Sequence, residues 1–136
     1  MPDMEAFDAP NRTAACTRRQ RSNTPLQALV TMNDPQWLEA ARCLAERVIL
    51  KAPTTDSRLE YLGRLVQSRP WQPADRAVLV AELAGFRATY AGRAAAAAQL
   101  IGQGESRPKP GIAPTELAPW MLIASTALNL DATVNK

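Results

Sequence analysis

Asn23-Thr24-Pro25-Leu26-Gln27-Ala28-Leu29, followed after three residues by Asn33-Asp34-Pro35-Gln36-Trp37-Leu38, writes the same helix start twice in quick succession. A short polar side chain before a proline is an N-terminal signature. The side chain accepts a bond from an orphan backbone N–H, and the proline loses nothing at the first helical position because its missing N–H would have had no partner. Thr24 with Pro25 therefore predicts a helix to about Met32, and Asp34 with Pro35 a second one to about Leu50. With so little chain between them, the two form an angled corner rather than one rod. Along the second, Trp37, Leu38, Ala41, Leu44, Ala45 and Val48 share a broad apolar face, while Glu39, Arg42 and Glu46 are expected to point to solvent. Ion pairs three and four apart on such a surface add a few tenths of a kcal/mol each.

Outward from this corner the punctuation repeats. Ala52-Pro53-Thr54-Thr55 stops the second helix, and Thr55 or Asp56 caps a third to about Gln67 with Leu59, Leu62, Leu65 and Val66 as its stripe. Arg69-Pro70-Trp71-Gln72-Pro73 is a connector. Pro73 opens a fourth helix through about Tyr90, on which Leu79, Leu83, Phe86 and Tyr90 line one side. Gly92 interrupts, and an alanine-rich helix runs from Arg93 to Ile101. Glycines and prolines from Gly102 to Pro114 make a loop. Thr115 begins the last helix, with Trp120, Ile123, Ala124, Ala127 and Leu128 on its buried face, and Pro119 predicts a start one or two residues late. Asp34, Asp56 and Glu116 read as caps or first-turn residues that favour the helix dipole. No strand pattern and no solenoid repeat is present. The expected fold is all-α, a compact irregular bundle of about five or six helices over residues 23–136, with a flexible N-terminal arm over 1–22.

At 136 residues the chain holds one core, and since much of its 46% apolar fraction is alanine, leucine, valine, isoleucine and three tryptophans must supply that core. A net charge of +3 does not demand nucleic acid or an anionic membrane. Its distribution is uneven, because Arg12, Arg18, Arg19 and Arg21 lie in a stretch, Ala9 to Asn33, with no acid. That stretch is either a solvated basic segment or an anion- or partner-binding patch. Nucleic-acid binding is the weaker version of the second reading.

There is no histidine, which removes the usual general base and the commonest metal ligand. The serines lack a nucleophile-elbow context, and no phosphate-binding glycine motif is present. Cys16 and Cys43 have no metal-ligand spacing; they are small buried hydrophobes or, in an oxidising compartment, a pair. No catalytic, metal or cofactor residue is expected. No apolar run is long enough to span a bilayer, and the start of the chain lacks the apolar core of a signal peptide.

Two sets of residues carry a resemblance. The first is Phe7-Asp8-Ala9-Pro10, Cys16-Thr17-Arg18-Arg19, Asn23-Thr24-Pro25-Leu26-Gln27-Ala28-Leu29 and Asn33-Asp34-Pro35; the second is Glu116-Leu117-Ala118-Pro119-Trp120 and Leu128-Asn129-Leu130-Asp131. Together they resemble the C-terminal part of the domain of unknown function 1553, found in large planctomycete and related bacterial proteins that often carry a cytochrome c-like domain near their N-terminus. Family members tend to have alanine in place of Pro119. The resemblance implies an end piece of an exported, multidomain envelope protein, in some cases linked to polysaccharide degradation. Any haem lies in a part of the parent not present here, because this chain has no Cys-x-x-Cys-His.

Thr24, Pro25, Asp34 and Pro35 then read as architecture, and Gln27 and Asn33 as side chains that tie the corner to nearby backbone. Arg18 and Arg19 either pair with Asp8 and the corner acids or reach outward to another domain or ligand, since guanidinium groups favour planar anions. Arg18, Arg19 and Arg21, with Trp71 exposed between prolines as a stacking platform, make the candidate anion- or partner-binding set. The expected function is a non-catalytic helical domain that docks on other domains of its parent or on an envelope partner. The alternative is a carbohydrate- or anion-binding module, with polysaccharide as partner.

Overall fold

In the computed structural model residues 34–130 are described, and every regular element among them is a helix. The predicted arm and the predicted helix from Pro25 lie outside the described residues. Asp34 stands at its expected post: Oδ1 accepts from the Gln36 amide at 2.8 Å, Pro35 follows at the first position, and α1 runs Pro35–Lys51. Ala52 ends it in extended backbone, and Pro53 follows at a bend.

Helix α2 spans Thr55–Gln67, but its cap is Thr54, one residue before Thr55 and two before Asp56, the expected candidates. The reason is a reciprocal pair. Thr54 Oγ1 accepts from the Ser57 amide at 3.2 Å while Ser57 Oγ accepts from the Thr54 amide at 3.1 Å. Helix α3 spans Pro73–Tyr90 as the sequence predicts, and α4 spans Ala94–Ile101 with Arg93 as its cap rather than its first residue. Helix α5 spans Pro114–Asn129 and starts on time despite Pro119. Ala113 O accepts from both Glu116 and Leu117, so the first turn closes before Pro119, whose missing N–H deprives only the carbonyl of Thr115, four residues earlier.

Helix α5 is the axis of the bundle, lying against α1, α2, α3 and α4. Its predicted face is buried except for half-buried Leu128, and Leu117, Ala118 and Met121 on its other sides are buried as well. A helix apolar all round belongs inside other helices. Helix α1 packs on it through Ala41, Ala45, Val48 and Ile49. Trp37, expected in that face, is 40% exposed, because burial along α1 begins only at Ala41. Helix α3 gives the core Leu79 and Leu83, with Phe86 and Tyr90 half-buried beside them. No helix among the described residues is long and apolar enough to cross a membrane.

Candidate functional site

Of the candidate binding set, Arg18, Arg19 and Arg21 lie outside the described residues, as do Asp8, Thr24, Pro25, Gln27 and Asn33 of the corner motif. Trp71 is described, and its position corrects the expectation. The proline-rich connector turns back on α2, leaving the indole only 9% exposed. Its Nε1–H donates to Leu59 O at 2.7 Å. Gly63 supplies the flat seat, since a Cβ there would come within 2.9 Å of the indole nitrogen. A ring so enclosed, with its one donor already used, is a packing residue and offers no stacking face.

The charged cluster with the most contacts lies where the sequence pointed to solvent. Glu39, Arg42 and Glu46 fall on one side of α1, yet Arg42 and Glu46 are each only 1% exposed. Residues 102–113 fold back over that side and cover it. Arg42 Nη1 donates to Glu46 Oε1 at 2.7 Å and to Arg107 O at 3.3 Å. Arg42 Nη2 donates to Ser106 O at 3.1 Å and to Ser106 Oγ at 2.6 Å. Glu39 accepts from the Glu105 amide at 3.1 Å, from the Ser106 amide at 2.8 Å, and from the Ser106 hydroxyl. Glu46 Oε1 also accepts from the Lys109 amide at 2.9 Å. Three side chains of one helix thus satisfy the backbone of a segment that has no secondary structure to do so.

The Ser106 hydroxyl, then the Ser106 and Glu105 amides, hold the Glu39 carboxyl below its ordinary pKa, with a smaller pull from Arg42; partial burial opposes them. Gly104 makes the close approach possible. Its φ is +98°, and a Cβ there would stand 2.6 Å from Glu39 Cβ. The signal for this clamp was in the sequence as acid–base–acid at spacings of three and four along α1, together with a distant loop that has almost nothing apolar to bury.

A second brace joins α2, α3 and α5. Arg58 Nε donates to Ala52 O at 2.9 Å and Nη1 to Glu116 Oε1 at 2.8 Å. The Arg58 and Arg87 guanidinium groups stand 5.7 and 5.9 Å from the centroid of the buried Trp120 ring. Arg87 also donates to Thr55 Oγ1 at 3.2 Å, and Arg76 pairs with Asp56 at 2.6 Å.

A shallow, open depression of about 400 Å³ borders the α1 clamp, lined by Asp34, Pro35, Gln36, Glu39, Gly104 and Glu105. Two of its three carboxylates are committed, Asp34 to its cap and Glu39 to the 105–106 amides. What remains, Glu105, is no acid–base pair. Among the described residues no three His, Cys, Asp or Glu side chains are grouped to hold a metal ion. Cys43 is exposed, and Cys16 lies outside the described residues.

A sequence-family model described as PSD1, protein of unknown function (DUF1553), matches residues 1–83. The match takes in the first set of signature residues, α1, α2 and α3 as far as Leu83, and stops before the second set, which begins at Glu116. No curated protein and no solved structure matches the chain.

Proposed function

The chain belongs to the family of proteins of unknown function DUF1553, and from that membership we propose that its described helical part is a non-catalytic docking domain that seats on another part of its parent protein. One observation carries the reading. Helix α3 buries only Leu79 and Leu83 among its eighteen residues. Facing outward along it, at spacings of three and four, are Ala74, Ala77, Val78, Ala81, Ala84 and Ala88, with Val78 half exposed. A helix side of small apolar residues, left uncovered by the described residues over about four turns, suits a second helix laid along it.

The charged side chains support the same reading from the other direction, because among the described residues those with the most contacts brace the fold and leave no uncommitted reactive pair. In this reading the domain is an end piece of an exported, multidomain envelope protein, and a haem, where the parent carries one, sits elsewhere. The carbohydrate- or anion-binding alternative keeps Arg18, Arg19 and Arg21 but loses Trp71 as its platform.

The test is to mix the domain with the separately expressed remainder of its parent and follow complex formation by sedimentation. The complex should form with the native chain and be lost with Val78→Glu combined with Ala81→Glu. Absence of any complex at tens of micromolar overturns the docking reading, and heat on titration with a sulfated polysaccharide in that same preparation supports the alternative.

A further inference from the structure

We infer that residues 105–110 form a releasable strap, latched to α1 by Glu39, Arg42 and Glu46, which opens as a unit while the five-helix bundle stays folded. The inference does not rest on the docking reading.

The first ground is how the segment is held. From Gly102 to Gly111 every residue is exposed except half-buried Pro108, and the next apolar anchor, Ile112, lies beyond the segment. What fastens the strap is polar: the amides of Glu105, Ser106 and Lys109 on carboxylates, and the carbonyls of Ser106 and Arg107 on Arg42. Water can replace each of these bonds, so lifting the strap exposes little apolar surface.

The second ground is what lifting leaves behind. A buried ion pair between two elements resists separation because each half would be stranded. Here both halves sit on α1, since Arg42 pairs with Glu46 four residues on and lies 3.8 Å from Glu39 three residues back. Opening therefore breaks no ion pair. The strap's own charges, Glu105, Arg107 and Lys109, are in no ion pair with the described residues.

The third ground is mechanical. Arg107-Pro108-Lys109-Pro110 has φ fixed at two positions and restricted conformations before each, so it moves as a stiff piece. It is bracketed by Gly104 at φ +98° and Gly111 at φ +92°. Open, the strap uncovers Arg42 and Glu46 side by side on α1. Closed, it seals them. This is a two-state element that any partner preferring one state would bias.

The experiment is residue-resolved amide hydrogen exchange on the whole chain. The Glu105, Ser106 and Lys109 amides should exchange by local opening, at rates that hardly change with low denaturant, while Met121, Ile123 and Ala124 exchange only with global unfolding. Glu39→Gln should speed Glu105 and Ser106 about tenfold or more, the loss of charge-assisted acceptors, and leave the α5 amides unchanged. Gly104→Ala, which perturbs the latch without touching any charge, should deprotect the same amides with helicity retained by circular dichroism. Strap amides that exchange in step with α5 in the native chain overturn the proposal, and so does a Gly104→Ala chain whose strap amides stay fully protected.

Discussion

A guanidinium withdrawn from water must find both its charge and its donors matched inside the protein. Arg42 does so with Glu46, Glu39 and the backbone of a segment more than sixty residues away, leaving only Nε without a partner among the described residues. Glu46→Gln keeps the shape but removes the charge that offsets a buried cation. It should cost about 3–5 kcal/mol in urea denaturation, the range for breaking a buried pair from one side. Replacing both partners, Arg42→Met with Glu46→Leu, should cost less than that single change, because no charge is left stranded. A double-mutant loss larger than the single would show that the strap bonds, and not the pairing, carry the energy.

Glu39 gives a pH dependence with a definite sign. Its folded pKa is held below the ordinary carboxylate value, so the folded state favours the charged form. The stability it contributes is fully present above the unfolded pKa and is lost as pH falls through the folded one. The difference in strap protection between the native chain and Glu39→Gln should therefore be flat from neutral pH down to the ordinary carboxylate range and shrink below it. A difference that instead grows on acidification contradicts this assignment.

Among the elements, α2 and its connector show how a helix acquires a tertiary lock. Trp71 closes onto Gly63 and donates to the Leu59 carbonyl, so the connector ends as part of the wall of α2. Trp71→Ala should cost about 3–5 kcal/mol, as large buried truncations do. Trp71→Phe, which keeps most of the ring and loses the donor, should cost about 1 kcal/mol. Chemical denaturation of the two variants separates packing from the hydrogen bond.

The helix starts were legible from residues 34 to 130 because they are local chemistry: Asp34-Pro35, Pro73 and the stop at Ala52-Pro53 each act within one turn. The cap of α2, expected at Thr55 or Asp56, falls at Thr54, since Thr54 and Ser57 satisfy each other and that reciprocity outweighs the choice of the later threonine or aspartate. The site was far less legible. Whether Arg42 faces water depends on where residues 105–109 return, and whether Trp71 is a platform depends on a glycine eight residues earlier. Helical periodicity shows which residues share a face and says nothing of a loop that later covers the polar one. Pro119 misled for a related reason: its local penalty is real, but the buried surroundings of α5 and a first turn already closed on Ala113 hold the helix around it.

At the scale of the whole molecule, α5 contributes to the contacts of every other helix, so no pair of outer helices makes a core without it. That predicts cooperativity as well as stability. Ile123 is fully buried near the middle of α5. Ile123→Ala should destabilise by about 2–5 kcal/mol, and the loss should appear equally in far-ultraviolet circular dichroism and in tryptophan fluorescence, because the buried Trp71 against α2 and Trp120 in α5 both report on the one core. The contrasting substitution is Val78→Ala on the outer side of α3, which should shift stability by no more than about 0.5 kcal/mol. If the two probes separate for Ile123→Ala, with helicity surviving after the tryptophan signal is lost, then α3 or the α1–α2 pair folds without the axis and the bundle is not one cooperative body. If they coincide, the bundle is one cooperative body, and amide exchange then decides whether the strap opens apart from it. The same substitution then serves as a control for the exchange experiment: it should accelerate α5 amides through global unfolding and leave the Glu105 and Ser106 opening rates where they were.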